Sequence, residues 1–232
     1  MRNETAARDS QNQICALVLF QRMLDFEIAG PVVGVLVVVD VALHIYMDMK
    51  KIQGRGLSAM REPDAVVPKS AMVAIAASTL LVFALVLPIP IAWLTSQGSV
   101  LVQSLFPLAD SPVLLWSGGL VTLGGGVILH GWSRHVRQLH ASSWTMTETH
   151  KLIMKGPYSR IRHPSYLSYF LSFIGLVLMI PSVLTVLLLI GIPGYYTAAV
   201  QEEQLLISHF GNGYRNYMMK TGRFIPKLRK HD

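Results

Sequence analysis

Five apolar stretches, residues 28–47, 71–94, 111–131, 165–180 and 182–200, dominate this chain. A helix that crosses a bilayer needs roughly 20 consecutive, mostly apolar residues. Inside a bilayer the backbone must satisfy its own polar groups, so such stretches become helices. A soluble core could not absorb them. Of the 232 residues 52% are hydrophobic and 14% charged, against about 25% charged in ordinary soluble domains. The pattern therefore predicts an all-α integral membrane bundle of five transmembrane helices. Only Pro181 separates the fourth stretch from the fifth, so these two are expected as a tight antiparallel hairpin. The run SGGLVTLGGG (117–126) in the third stretch is built of small residues, which let helix backbones approach closely. Gly191, Pro193 and Gly194 are expected to kink the last span.

Basic residues fix the expected orientation. Five lie between the first two spans (Lys50, Lys51, Arg55, Arg61, Lys69) and six in 132–163 (Arg134, Arg137, Lys151, Lys155, Arg160, Arg162). Six more lie in the tail (Arg215, Lys220, Arg223, Lys227, Arg229, Lys230), and none in 95–110. The positive-inside bias puts the first three segments, including the C-terminus, in the cytoplasm. The net charge of +7 is thus a loop charge facing anionic lipid, and no nucleic-acid partner is expected. The first 13 residues are polar and include acids, so no cleavable signal peptide is expected. Cys15 is the single cysteine, which excludes an intrachain disulfide.

The segment HKLIMKGPYSRIRHPSY (150–166) precedes the fourth span. It is basic, rich in rings, and broken by Gly156, Pro157 and Pro164. Taken alone it reads equally well as an interfacial loop. However, Glu202 and Glu203 leave the next span but one, on the same side, and the hairpin returns them toward it. Connectivity thus predicts a cytosolic polar pocket at the mouth of the bundle. Backbone groups of 150–153 could meet a purine edge, and Tyr158, His163 and Tyr166 could stack on it or on a cation. Glu202 and Glu203 could meet a ribose hydroxyl, an ammonium or a sulfonium. Neither a GxxxxGK[ST] phosphate loop nor a strand-based GxGxxG is present. His135, His140, His150 and His163 match no zinc spacing, and no metal is expected.

The joint pattern of His150, Lys151, Leu152, Ile153, Gly156, Tyr158, Arg162, His163, Pro164 and Tyr166, then Glu202, Glu203 and Leu206, then Phe210, Gly211, Tyr214 and Tyr217 resembles the isoprenylcysteine carboxyl methyltransferase family. The resemblance covers roughly residues 130–228. It implies S-adenosylmethionine as the methyl donor, bound at the cytosolic face, and a lipid or lipidated acceptor arriving from the bilayer. The chain is expected to form a single membrane domain, 1–232, in which 1–131 holds three helices, and the resemblance implies that 132–232 forms the catalytic half with cofactor loop, hairpin and tail. The donor-binding residues it implies are His150, Lys151, Leu152, Ile153, Gly156 and Tyr158, then His163, Pro164, Ser165 and Tyr166, and finally Glu202 and Glu203. Glu203, Arg162 and Tyr166 are the implied catalytic residues.

Two positions depart from the family pattern: Ser143 replaces a glutamine and Ala198 an arginine assigned to the substrate's carboxylate end. Helical spacing is expected to turn Ala198 toward the same pocket as the acids. A free prenylcysteine carboxylate would then be handled poorly unless Arg134, Arg137 or Arg162 reaches in. The acceptor is open among a prenylcysteine-like carboxylate, a phospholipid amine and another small lipid. Two other readings stand beside a methyltransferase: a nicotinamide-dependent membrane reductase, and a transport or sensor protein with a proton path through Asp40, His44 and the glutamates. Asp40 and His44 share one face of the first span, and a structural pairing with Arg134 or Arg137 is the plainer expectation.

Overall fold

The computed structural model describes residues 30–36, 38–43, 45, 46, 49, 66–97, 108, 113–137 and 151–227. His44, Ser143 and His150 lie outside the described residues, as do most of the loops 48–70, 95–110 and 138–150. The described elements are helical: α1 (Gly30–Leu43), α2 (Lys69–Val86), α3 (Pro88–Leu94), α4 (Val113–Arg137), α5 (Pro164–Met179), α6 (Val183–Leu187), α7 (Gly191–Phe210) and α8 (Asn212–Lys220).

Three continuous runs are long and apolar enough to cross a membrane: Lys69–Leu94, Leu114–Arg137 and Val183–Phe210. Gly30–Leu43 and Pro164–Met179 are apolar but shorter. At 1.5 Å per residue, the 16 residues of α5 span about 24 Å, short of the roughly 30 Å hydrocarbon core. The fold is thus an all-α membrane bundle in which three of the five expected spans have full crossing length.

Local chemistry explains the breaks. Pro88 and Pro90 fall in the first turn of α3, where a missing N–H costs nothing. Ser182 caps α6 through a reciprocal exchange with Thr185. A tighter 3-10 turn, Leu188–Ile190, then leads into α7 just ahead of Pro193. The third span runs to Arg137 instead of stopping near 131. Its last turn stays helical because Trp132 and Val136 pack on the turn Gly156–Ser159.

The hairpin between α5 and the Val183–Phe210 run turns at Ile180–Ser182, but its arms diverge. α5 lies along α4, whereas α7 lies along α2. Small residues make the first of these contacts possible: a methyl group on Gly175 would sit 2.7 Å from the Leu123 amide nitrogen and 2.9 Å from the Gly119 carbonyl. Gly175→Ala is therefore expected to destabilise the protein by about 1–3 kcal/mol. Gly124→Ala, with nothing within 4 Å of the new carbon, should be nearly neutral. Equal melting temperatures in detergent for the two variants would contradict this packing.

The apolar core gathers Leu85, Ile89, Leu123, Phe173, Leu176 and Leu188 among the spans. A second, smaller core of Leu206, Tyr214 and Tyr217, with Leu152 packed on it, lies where α7 and α8 meet. The candidate site is built around this second core. After α8 the chain returns beside the segment before α5. Arg162 N donates to Gly222 O (2.9 Å), His163 N to Arg223 O (3.1 Å), and Gly222 N to Arg160 O (3.2 Å). This short parallel pairing of Ile161 with Gly222 ties the tail to the basic segment.

Candidate functional site

Glu202 and Glu203 lie more than two helical turns past Pro193 on α7. They are 5% and 1% exposed. A carboxylate that deep must be paired or hydrogen-bonded. Glu203 is paired on every side. Its Oε1 accepts from Arg162 Nε (2.8 Å) and Arg223 Nε (3.1 Å), and its Oε2 from Arg223 Nη2 (2.7 Å). His163 Nε2 lies 3.2 Å from the same Oε1. The two arginines are anchored in turn. Arg162 Nη1 donates to the carbonyls of Thr221 and Met218. Arg223 Nη1 donates to Tyr196 Oη (3.0 Å), and the guanidinium lies 5.2 Å from the Tyr196 ring centroid.

Glu202 has a different environment. Tyr166 Oη donates to its Oε2 (3.0 Å), and His163 Nδ1 is 3.8 Å from the same oxygen. The His163 and Tyr166 rings lie parallel with centroids 5.5 Å apart, so this pair spans both acids.

A cleft enclosing about 450 Å³, open mouth included, opens beside Glu202. One wall is the extended segment at Lys151, Leu152 and Ile153, and another is Tyr158, Arg162 and the Arg137 end of α4. Leu206, Tyr214 and Tyr217 form the floor. Among the described residues, no main-chain partner is found for the amides and carbonyls of 151–154. Gly156 turns the chain after this wall with φ +57°, a conformation that favours glycine, and its missing Cβ makes room for Val136 and Trp132. Tyr217 Oη donates to Tyr158 O (2.6 Å) and pins that turn to α8. Burial pushes the Tyr214 phenol well above its usual value, and the charge of Glu203 adds to the rise. Tyr217 is raised by burial against the pull of Arg162. Both therefore remain neutral hydroxyls.

Lys151, Leu152, Ile153, Tyr158, Arg162 and Glu202 thus line one cleft. Pro164 starts α5, and Ser165 Oγ sits 3.4 Å from Tyr158 Oη. His163, Tyr166 and Glu203 stand behind the wall, where they hold Arg162 and Glu202. Ala198 is fully buried and is not among the residues lining the cleft. Arg137 does line it, within hydrogen-bonding reach of Tyr158 and close enough to interact with Glu202 and Tyr166.

Sequence reasoning did not single out Arg223, which it counted only as tail charge. The apolar residues Phe224, Ile225 and Pro226 beyond an amphipathic helix were the available signal that the tail returns to the core. Phe224 does so, with its ring 5.0 Å from Phe170 and 5.9 Å from His163.

Fold and site together define a helical membrane protein with a polar, cation-rich cleft at one end of the bundle. Residues 115–213 match the family model described as phospholipid methyltransferase. The chain is 32% identical over 114 residues to the nickel-cobalt-cadmium resistance protein NccN of Alcaligenes xylosoxydans xylosoxydans, covering 48% of this chain and 52% of that protein. It is 29% identical over 91 residues to the protein-S-isoprenylcysteine O-methyltransferase of Schizosaccharomyces pombe, covering 38% of this chain and 39% of that enzyme. Over residues 115–213 the chain is thus similar to the phospholipid methyltransferase family, and over a shorter stretch to an isoprenylcysteine O-methyltransferase. It spans about half or less of the length of these curated relatives.

Proposed function

We propose that this protein is an S-adenosylmethionine-dependent methyltransferase whose acceptor is embedded in the membrane, most simply an isoprenylcysteine-like carboxylate. The observation that carries this reading is the cleft itself, with the extended segment at Lys151, Leu152 and Ile153 on one side and the buried carboxylate of Glu202 on the other. The donor presents an adenine edge, a ribose diol, an ammonium and a carboxylate. The wall at Leu152 and Ile153 suits the adenine edge, Glu202 the diol or the ammonium, and Lys151 or Arg162 the carboxylate. S-Adenosylmethionine, when bound, supplies a methyl group on a sulfonium already activated for displacement.

The protein's task is then to align the nucleophile with that methyl and to exclude water. Positioning of this kind is worth several kcal/mol of barrier. Arg137, Lys151 and Arg162 face Glu202 across the cleft, so the lining has an excess of positive charge that favours an anionic nucleophile. A carboxylate is ionised at neutral pH and requires no general base. Arg137 also offers a cation in the cleft although position 198 is alanine. A phospholipid amine is the second reading, favoured by the family that residues 115–213 match. In that case Glu202, hydrogen-bonded to Tyr166, is the available proton acceptor. On either reading, the cleft and the C-terminal tail face the cytoplasm, where the donor is dissolved.

The test is calorimetry of S-adenosylhomocysteine with the detergent-purified chain. Wild type should bind. Tyr158→Ala, which opens the wall, and His163→Ala, which releases both acids, should each weaken binding by about tenfold or more. No detectable binding to wild type would overturn the proposal. Unchanged affinity in both variants would mean that the basic segment is only an interfacial loop.

A further inference from the structure

The geometry points to Arg223 as a positioning residue for the cleft, acting through Glu203 from a tail strap that lies outside the family-matched stretch. The inference rests on the donor-binding reading above, and it assigns a part of the chain that this reading leaves without a role.

Four observations carry it. First, Glu203 contacts the cleft only indirectly: it is 1% exposed, and its two oxygens are taken by Arg162, Arg223 and His163. Secondly, Arg162 is both a cleft wall and a Glu203 partner, so the direction of its guanidinium depends on where that carboxylate points. Thirdly, Arg223 grips Glu203 through two nitrogens, Nε at 3.1 Å and Nη2 at 2.7 Å. A planar fork of this kind fixes the carboxylate's rotation as well as its charge. Fourthly, the strap that carries Arg223 is secured independently. The main chain of Gly222 and Arg223 pairs with Arg160, Arg162 and His163. Lys227 Nζ donates to the carbonyls of Met218 (2.9 Å) and Met219 (3.2 Å). Arg223 therefore meets Glu203 from a fixed platform. The carboxylate in turn holds Arg162 at the cleft wall and His163 against Tyr166, whose hydroxyl aims Glu202.

The experiment is a double-mutant cycle on S-adenosylhomocysteine affinity, using the full chain in detergent. The variants are Arg223→Gln, Glu203→Gln, the two combined, and Arg223→Lys, each checked for a monodisperse, cooperatively melting protein. Arg223→Gln is expected to weaken binding about 30–100-fold, within the range for losing a charge-assisted hydrogen-bonded pair. Arg223→Lys keeps the charge without the fork and should lose only about 3–10-fold. The double variant should be no weaker than the worse single one, because both act through one contact.

Wild-type affinity in Arg223→Gln, or additive losses in the double variant, would overturn the inference. Should Arg223→Gln not fold, Arg223→Lys decides: wild-type affinity in that variant would overturn the inference equally. A wild-type chain that does not bind S-adenosylhomocysteine overturns the donor-binding reading instead, so the two failures are distinct.

Discussion

Glu203→Ala should lower stability by about 3–5 kcal/mol, the usual cost of removing one partner from a buried charge pair. In a chain of 232 residues this corresponds to a fall in melting temperature of about 6–20 °C. The cause lies in what remains. Arg162, with a side chain 8% exposed, and Arg223, at 26%, would keep their charges and lose their anion. Neither side chain can be neutralised, because a guanidinium does not deprotonate in proteins. The strap from Thr221 to Lys227 would then keep its main-chain pairing, Lys227, the Arg223–Tyr196 contact and the packing of Phe224, but lose its ionic anchor. Loss of ligand binding should accompany the loss of stability in this variant. A Glu203→Ala protein that melts within 2 °C of wild type, by the same measure, would contradict the structural role given to this carboxylate.

The neighbouring acid should behave in the opposite way. Glu202→Gln keeps the volume and still offers an oxygen to Tyr166 Oη, now 3.0 Å from the carboxylate, so stability should change by about 1 kcal/mol or less. The charge facing the cleft is nevertheless lost. Affinity for S-adenosylhomocysteine should fall about 10–100-fold, the range for a hydrogen bond to a charged group. On the proposed reading this contact is to the donor and is present before and during transfer. The loss should therefore appear mainly in KM for the donor, with kcat less affected. An unchanged donor KM would remove Glu202 from the donor site. Two adjacent acids on one helix are thus separable, one by its effect on folding and the other by its effect on binding.

The sequence disclosed the bundle because apolar runs of span length have few alternatives. It also indicated, from the run 117–126, that another backbone could approach the third span closely; that the partner is α5, meeting Gly119 and Gly126 and contributing Gly175, came only from the fold. The sequence placed Leu152, Ile153, Tyr158, Arg162 and Glu202 in one region, because a hairpin must bring its two flanks to the same side. The different roles of Glu202 and Glu203 were not legible. Adjacent residues on a helix differ by about 100° in direction, and only packing decides which one meets solvent and which one meets the arginines.

Arg223 was missed for a related reason. Its partner lies 20 residues earlier, across a helix end and a strap whose path depends on tertiary contacts. The continuation of α4 to Arg137 was hidden because Trp132, Arg134, His135 and Arg137 read as a polar loop. In the fold this last turn instead supplies one side of the cleft.

Transfer of tritiated methyl from S-adenosylmethionine in membranes containing this protein tests the central claim most directly. The membranes are supplied with a farnesylcysteine analogue, and the lipid-soluble products are extracted. The expected result is extractable tritium that is released by mild base, as a methyl ester requires, and that falls sharply in membranes carrying Glu202→Gln at subsaturating donor. Lipid-soluble tritium no higher than in membranes lacking the protein would contradict the assignment as a membrane methyltransferase.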